Sequence, residues 1–256
     1  MMEGFLDING LEMRFGGLKA VDHLTFSVEE GTIHGLIGPN GAGKTTTFNM
    51  ISGFYTPTSG EVAFGGENIT GLPMHAVARK GVVRTFQHST LFAEMTVIEN
   101  ALVGTHLIHP PGLWAAISGG DGRHRQQALG LARETLEFFG LQEFSDHQAG
   151  SLSHGHQRAL GMAVALAAGP KILLLDEPFT GMNPEETSSM MQLMFKLRDS
   201  GVSILIVEHD MRAVMGLCDR ITVMNFGRLL TEGQPEEIRR HPEVIRAYLG
   251  SSVDGA

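Results

Sequence analysis

Cysteine is nearly missing from this sequence: Cys218 is the only one among 256 residues. No internal disulfide can form, so the fold must close on a hydrophobic core, which is consistent with a reducing cytoplasm. Long apolar runs are missing too. The longest, residues 160–168 with one internal glycine, falls well short of the ~20 residues a membrane helix needs. If the chain works at a membrane, something else must hold it there. Met1-Met2-Glu3-Gly4 has neither the basic segment nor the apolar core of a secretion signal, so none is expected. Positive charge is in deficit, with 19 Lys and Arg against 28 Asp and Glu and a net charge of −9. That balance weighs against a nucleic-acid partner, because phosphate neutralisation needs a basic surplus. Charged residues, at 18%, are too few for a disordered chain, while 42% hydrophobic residues suffice for a core.

Glycine, by contrast, is plentiful: 33 residues point to many turns and close backbone approaches rather than a helical bundle. Alternating apolar residues predict strands over 5–9 and 24–28, then 32–37 and 61–64, with a helix over 44–51 stopped by Gly53. Periodicity is mostly helical from 97 to 150, including a helix over 126–139 that Gly140 closes. A loop with Pro110 and Pro111 interrupts it between 105 and 122. The runs 171–175 and 202–207 are continuously apolar, as expected of strands buried on both faces of a parallel sheet. A hairpin is expected where 221–224 and 228–231 flank Asn225-Phe226-Gly227, and a last helix over 235–249. The fold class is α/β with a helical insert.

Gly38-Pro39-Asn40-Gly41-Ala42-Gly43-Lys44-Thr45 fits G-x-x-x-x-G-K-[ST] at every fixed position, after a strand and before a helix. Its glycines let successive backbone N–H groups point at phosphate oxygens, and the following helix adds its positive end. Lys44 can reach the terminal phosphates of a nucleotide, the Thr45 hydroxyl can ligate Mg²⁺, and Thr46 is a further nucleotide-binding candidate. The strand 171–175 ends in Asp176-Glu177-Pro178. Asp176 can hold Mg²⁺ and Glu177 can polarise the water that attacks the γ-phosphate. Alone, such a strand end is as readily a solvated turn. Val207-Glu208-His209-Asp210 repeats the arrangement one strand later, with His209 as a donor to the γ-phosphate. His154-Gly155-His156, with His106 and His109, invites a metal site, but no Cys/His cluster at zinc spacing accompanies them, so none is expected.

These sites, in this order, resemble the ATP-binding cassette (ABC) family. Gln87, in Arg84-Thr85-Phe86-Gln87, matches the family's glutamine loop, which touches Mg²⁺ and the attacking water. Leu152-Ser153-His154-Gly155-His156-Gln157-Arg158 matches its signature sequence, through which Ser153 and the Gly155 backbone reach the γ-phosphate held by a partner subunit. Phe15 stands where an aromatic ring stacks on adenine, and Gly181-Met182-Asn183 where a loop meets the opposite subunit. Three positions depart from the family's commonest pattern: His154 for glycine, His156 for glutamine and Asn183 for aspartate. The resemblance implies a P-loop NTPase ABC ATPase domain with a mostly parallel core sheet, an antiparallel β subdomain and a helical subdomain. It divides one domain, 1–256, into a core with the β subdomain (1–87 and 151–234), a helical subdomain (88–150) and a C-terminal helix (235–256).

Leu91-Phe92-Ala93-Glu94-Met95-Thr96-Val97-Ile98-Glu99-Asn100, the long insert before Ser153 and the ending from Cys218 to Gly250 look like the ATPases of branched-chain (hydrophobic) amino-acid importers. This resemblance implies ATP and Mg²⁺ as ligands and a second ATPase subunit, the same or different, closing head to tail. It also implies two integral-membrane permease subunits, an indirect link to a periplasmic solute-binding protein, and a place on the cytoplasmic face of the bacterial inner membrane. Urea and amide importers and lipid exporters share the architecture. A non-transport ABC ATPase acting on the ribosome or DNA fits less well, with one cassette and an acidic balance.

Overall fold

The computed structural model describes residues 4–85, 91–106 and 122–250, with side chains from 125 to 248 in the last segment. Two sheets organise it. The first is antiparallel, in the order β2-β1-β4-β5, from β1 (Leu6–Phe15), β2 (Leu18–Val28), β4 (Ser59–Phe64) and β5 (Glu67–Asn68). The second, in the order β10-β9-β3-β8-β7-β6, comprises β3 (Ile33–Ile37), β6 (Val82–Arg84), β7 (Ile172–Asp176), β8 (Ser203–Val207), β9 (Arg220–Asn225) and β10 (Arg228–Gly233). All its pairs are parallel except β9–β10. This is the expected mostly parallel core sheet beside an antiparallel one.

The continuous apolar strands are explained by what lies on either side. On β7, Ile172 and Leu174 face a core shared with β1, β2, β4 and α1 (Lys44–Ile51), while Leu173 and Leu175 face a second core of helices. β8 divides the same way, Leu205 and Val207 against Ile204 and Ile206. A strand with period-2 side chains and two apolar faces has no polar position to show.

The helical side comprises α3 (Val97–Thr105), α4 (Gly122–Phe138), α5 (His154–Ala167), α6 (Pro184–Asp199) and α7 (Met211–Leu217); α2 (Met74–Arg79) lies beside β6. Helices α3, α4 and α5 pack on one another. Thr96 caps α3, its Oγ1 accepting from Glu99 N–H at 3.3 Å while Glu99 Oε2 accepts from Thr96 N–H at 2.8 Å. The expected proline loop at 107–121 lies outside the described residues.

Three expectations change. The strands expected over 5–9 and 24–28 are parts of a long hairpin, whose irregular pairing between Ile8 and Arg14 blurs the period-2 signal. Short α2 and β6 were not expected at all. The last helix is two, α8 (Pro235–Arg240) and α9 (Pro242–Gly250), because His241, which precedes Pro242, is extended at φ −70°, ψ 120°. The expected hairpin is present, with Phe226 and Gly227 as its two-residue turn at positive φ.

Candidate functional site

β3 is wholly buried, and the chain passes from it straight into a loop, residues 38–43, and then α1. Glycine is required by what packs behind the loop. A Cβ on Gly38 would lie 2.2 Å from the Met224 carbonyl oxygen. One on Gly43, at φ 100°, would lie 2.6 Å from that of Ala20. The loop closes on itself and on the β9–β10 hairpin, with Ala42 N–H donating to Pro39 (3.1 Å) and Gly227 N–H donating to Ala42 (3.0 Å). Asn40 and Gly41, at its tip, are exposed.

Lys44 folds back over this loop, donating to the carbonyls of Gly38 at 2.7 Å and Pro39 at 3.1 Å. Burial lowers its pKa, while the negative charges of Glu177 and Asp176 act in the opposite direction. Groups from two distant stretches of sequence therefore sense one another here. Thr45 is exposed and Thr46 half-buried beside them, while Thr47 is buried with Oγ1 donating to the Gly43 carbonyl at 3.0 Å.

Asp176 ends β7, buried, and its Oδ2 accepts from Arg84 Nη2 at 2.7 Å. Arg84 also donates through Nη1 to Asn49 Oδ1 (2.5 Å) and Ser52 Oγ (3.3 Å) of the phosphate-loop helix and its cap. In the sequence motifs Arg84 stands only as a neighbour of Gln87, with no role of its own. Nothing in linear spacing pairs residue 84 with 176; β6 lying next to β7 does.

Glu177 adopts φ 47°, a left-handed conformation that costs a residue with a side chain. Its N–H donates to the Val207 carbonyl at 2.9 Å, and Thr180 Oγ1 donates to its Oε2 at 3.4 Å. Glu177 Oε1 lies 3.8 Å from His209 Nδ1, so the ends of two adjacent strands bring the acid and the histidine together.

The remaining candidates lie on other elements. Phe15, exposed at the end of β1, packs edge-on against Tyr55, ring centroids 5.5 Å apart. Ser153 caps α5, its Oγ accepting from His156 N–H at 3.3 Å, and Gly155 lies beside Glu186 of α6. Their contacts run to α5 and α6 rather than to the phosphate loop. Gln87 lies outside the described residues. His154 and His156 are exposed, His156 against the Phe144 ring. Among the described residues, the group with metal-ligating proximity is Glu12, Asp22 and His23 instead. Its carboxylates are already engaged by Lys19 and Arg228.

A family model described as "ABC transporter" matches residues 21–180, spanning the loop, Arg84, the signature and the Asp176-Glu177 strand end. The chain belongs to the ABC transporter family. It is an ABC transporter ATPase, and the cassette's resemblance to that family, drawn from motifs, is borne out. A second model, "Branched-chain amino acid ATP-binding cassette transporter", matches residues 228–254. The LivG protein of Salmonella typhimurium, a high-affinity branched-chain amino acid transport ATP-binding protein, is 48% identical over 98% of this cassette and 100% of its own length. The BraF protein of Pseudomonas aeruginosa, named likewise, is 47% identical over the same shares. A crystal structure of a nucleotide-free ATP-binding cassette from an ABC transporter matches with a TM-score of 0.85 at 32% identity, covering 95% of this chain and 98% of that one.

Proposed function

We propose that this cassette energises the import of branched-chain amino acids, paired with a second ATPase beneath two membrane permeases at the cytoplasmic face of the inner membrane. The observation that carries the substrate class is the match of residues 228–254 to the branched-chain model, because β10, α8 and α9 lie outside the motifs that all such ATPases share. Full-length identity to the LivG and BraF proteins supports it. The absence, among the described residues, of a helix long and apolar enough to cross a membrane fits a chain held there by other subunits.

Within the site, the loop amides from Gly38 to Thr45 cradle the phosphates and Lys44 exchanges its carbonyl partners for phosphate oxygens. Phe15 stacks on adenine. The donor set suits Mg²⁺: a threonine hydroxyl, Thr45, and a carboxylate, Asp176, are hard oxygen ligands, joined by Gln87. When bound, Mg²⁺ neutralises charge developing on the phosphates. Arg84 fixes Asp176 by one oxygen, so that carboxylate is oriented before any ligand arrives. Glu177 orients and polarises the attacking water, and His209, beside it, donates to the γ-phosphate. Ser153 and Gly155 complete the nucleotide site of the partner. Two subunits thus close head to tail over two ATPs, and hydrolysis lets them part.

The test is reconstitution with the permeases and solute-binding protein of its own locus. Leucine- or isoleucine-loaded binding protein should stimulate ATP turnover, and urea-loaded protein should not; the reverse would overturn the substrate class. Glu177→Gln should abolish turnover and trap ATP in a stable dimer.

A further inference from the structure

One peptide group sits between the two halves of this site. Pro178 and Phe179 follow Glu177, and the peptide unit joining them is held at both ends. Its carbonyl accepts from Arg158 Nη1 at 2.7 Å, and its N–H donates to Glu208 Oε1 at 2.8 Å. Arg158 belongs to α5, the helix that Ser153 caps. Glu208 follows β8 and is only 1% exposed; its second oxygen accepts from the N–H of His209 at 3.0 Å. Burying a carboxylate is costly unless its lone pairs are filled. Here backbone amides from two separate segments fill them.

We propose that Arg158 and Glu208 are positioning residues for ATP hydrolysis. Together they clamp the Pro178–Phe179 peptide, hold Glu177 in its left-handed conformation and join the Ser153 end of α5 to His209. The proposal rests on the reading of Glu177 and His209 given above. A residue at φ 47° persists only where the backbone on either side is over-determined. On one side the Val207 carbonyl holds Glu177 N–H. On the other, the clamp holds the next peptide but one. Because Ser153 faces the partner's nucleotide while Glu177 and His209 face this chain's own, the clamp ties the two sites mechanically.

A double-mutant cycle tests this in the purified full chain. Arg158→Met keeps the stem and removes the donor; Glu208→Gln keeps the shape but turns one acceptor into a donor facing an N–H. Each should lower kcat about tenfold and leave the KM for ATP within about twofold, since the loop that holds the nucleotide is untouched. Because both act through one peptide, the double variant should fall no further than the weaker single, and Arg158→Lys should recover part of the loss. A multiplied loss of about a hundredfold in the double variant, or a raised KM with unchanged kcat, would overturn the clamp. Should Glu208→Gln not fold, hydrogen exchange decides. The amides of 179–183 and His209 should exchange faster in Arg158→Met than in the unaltered chain, and unchanged exchange overturns the proposal. Glu177→Gln, run alongside, separates the two readings. Retained turnover there rejects the site assignment, whereas abolished turnover with a multiplicative cycle rejects the clamp alone.

Discussion

His34, in the middle of β3, has no exposed surface, and its ring lies 5.7 Å from that of Phe26. Nε2 is 2.8 Å from Thr222 Oγ1, and Nδ1 has no hydrogen-bond partner among the described residues. Burial, reinforced by the positive charge of Arg220, lowers its pKa to about 3. Between pH 6.5 and about 3 the unfolded chain therefore binds a proton that the folded chain refuses. Stability should fall as pH drops through that window, by at most about 1.4 kcal/mol per pH unit from this group. His34→Leu should show a smaller loss than the unaltered chain between pH 7 and pH 5, measured by urea midpoints. An equal loss in both would remove His34 as the cause. At this scale the phosphate loop, Asp176, Glu177 and His209 were all legible in the sequence, because each sits at a fixed covalent spacing from a strand end. Arg84, Arg158 and Glu208 were not. Their partners lie on other elements, and no local pattern names them.

Among the elements, β7 separates the two cores, as β8 does, and ends at Asp176, directly before Glu177. Leu174 is fully buried on its β-subdomain face, so Leu174→Ala should cost about 2–5 kcal/mol in chemical denaturation. Phe226→Ala, at a hairpin turn where the residue is 85% exposed, should stay within about 0.5 kcal/mol. Similar losses for both would contradict the burial that defines the two cores. β7 and β8 are legible as continuous apolar runs, since a strand buried on both faces has no polar position to show. The long β1–β2 hairpin was underestimated for the opposite reason, its register shifts breaking the alternation. In the last helix, periodicity continued across a break that the Pro242 ring imposes on His241.

As a whole molecule, the cassette contributes half of each of two sites under the proposed function. In the proposed dimer, Lys44→Ala disables the half that belongs to the chain's own nucleotide, and Ser153→Arg the half that faces the partner's. Each purified variant alone should be inactive. Mixed, they should regain part of the lost turnover, because the mixed pair keeps one intact loop facing one intact signature. No recovery in an ATPase assay of the mixture would reject the head-to-tail arrangement. By itself the sequence determined the chemical groups and the family, both of which reside in short contiguous motifs with their flanking strand and helix signals. Only the tertiary structure decided that Arg84 restrains Asp176, that Glu177 is held in a left-handed conformation, and that Arg158 and Glu208 grip one peptide between them. The physical reason is tertiary packing: β6 beside β7 and β7 beside β8, with α5 laid against the end of β7, bring together residues far apart in the chain.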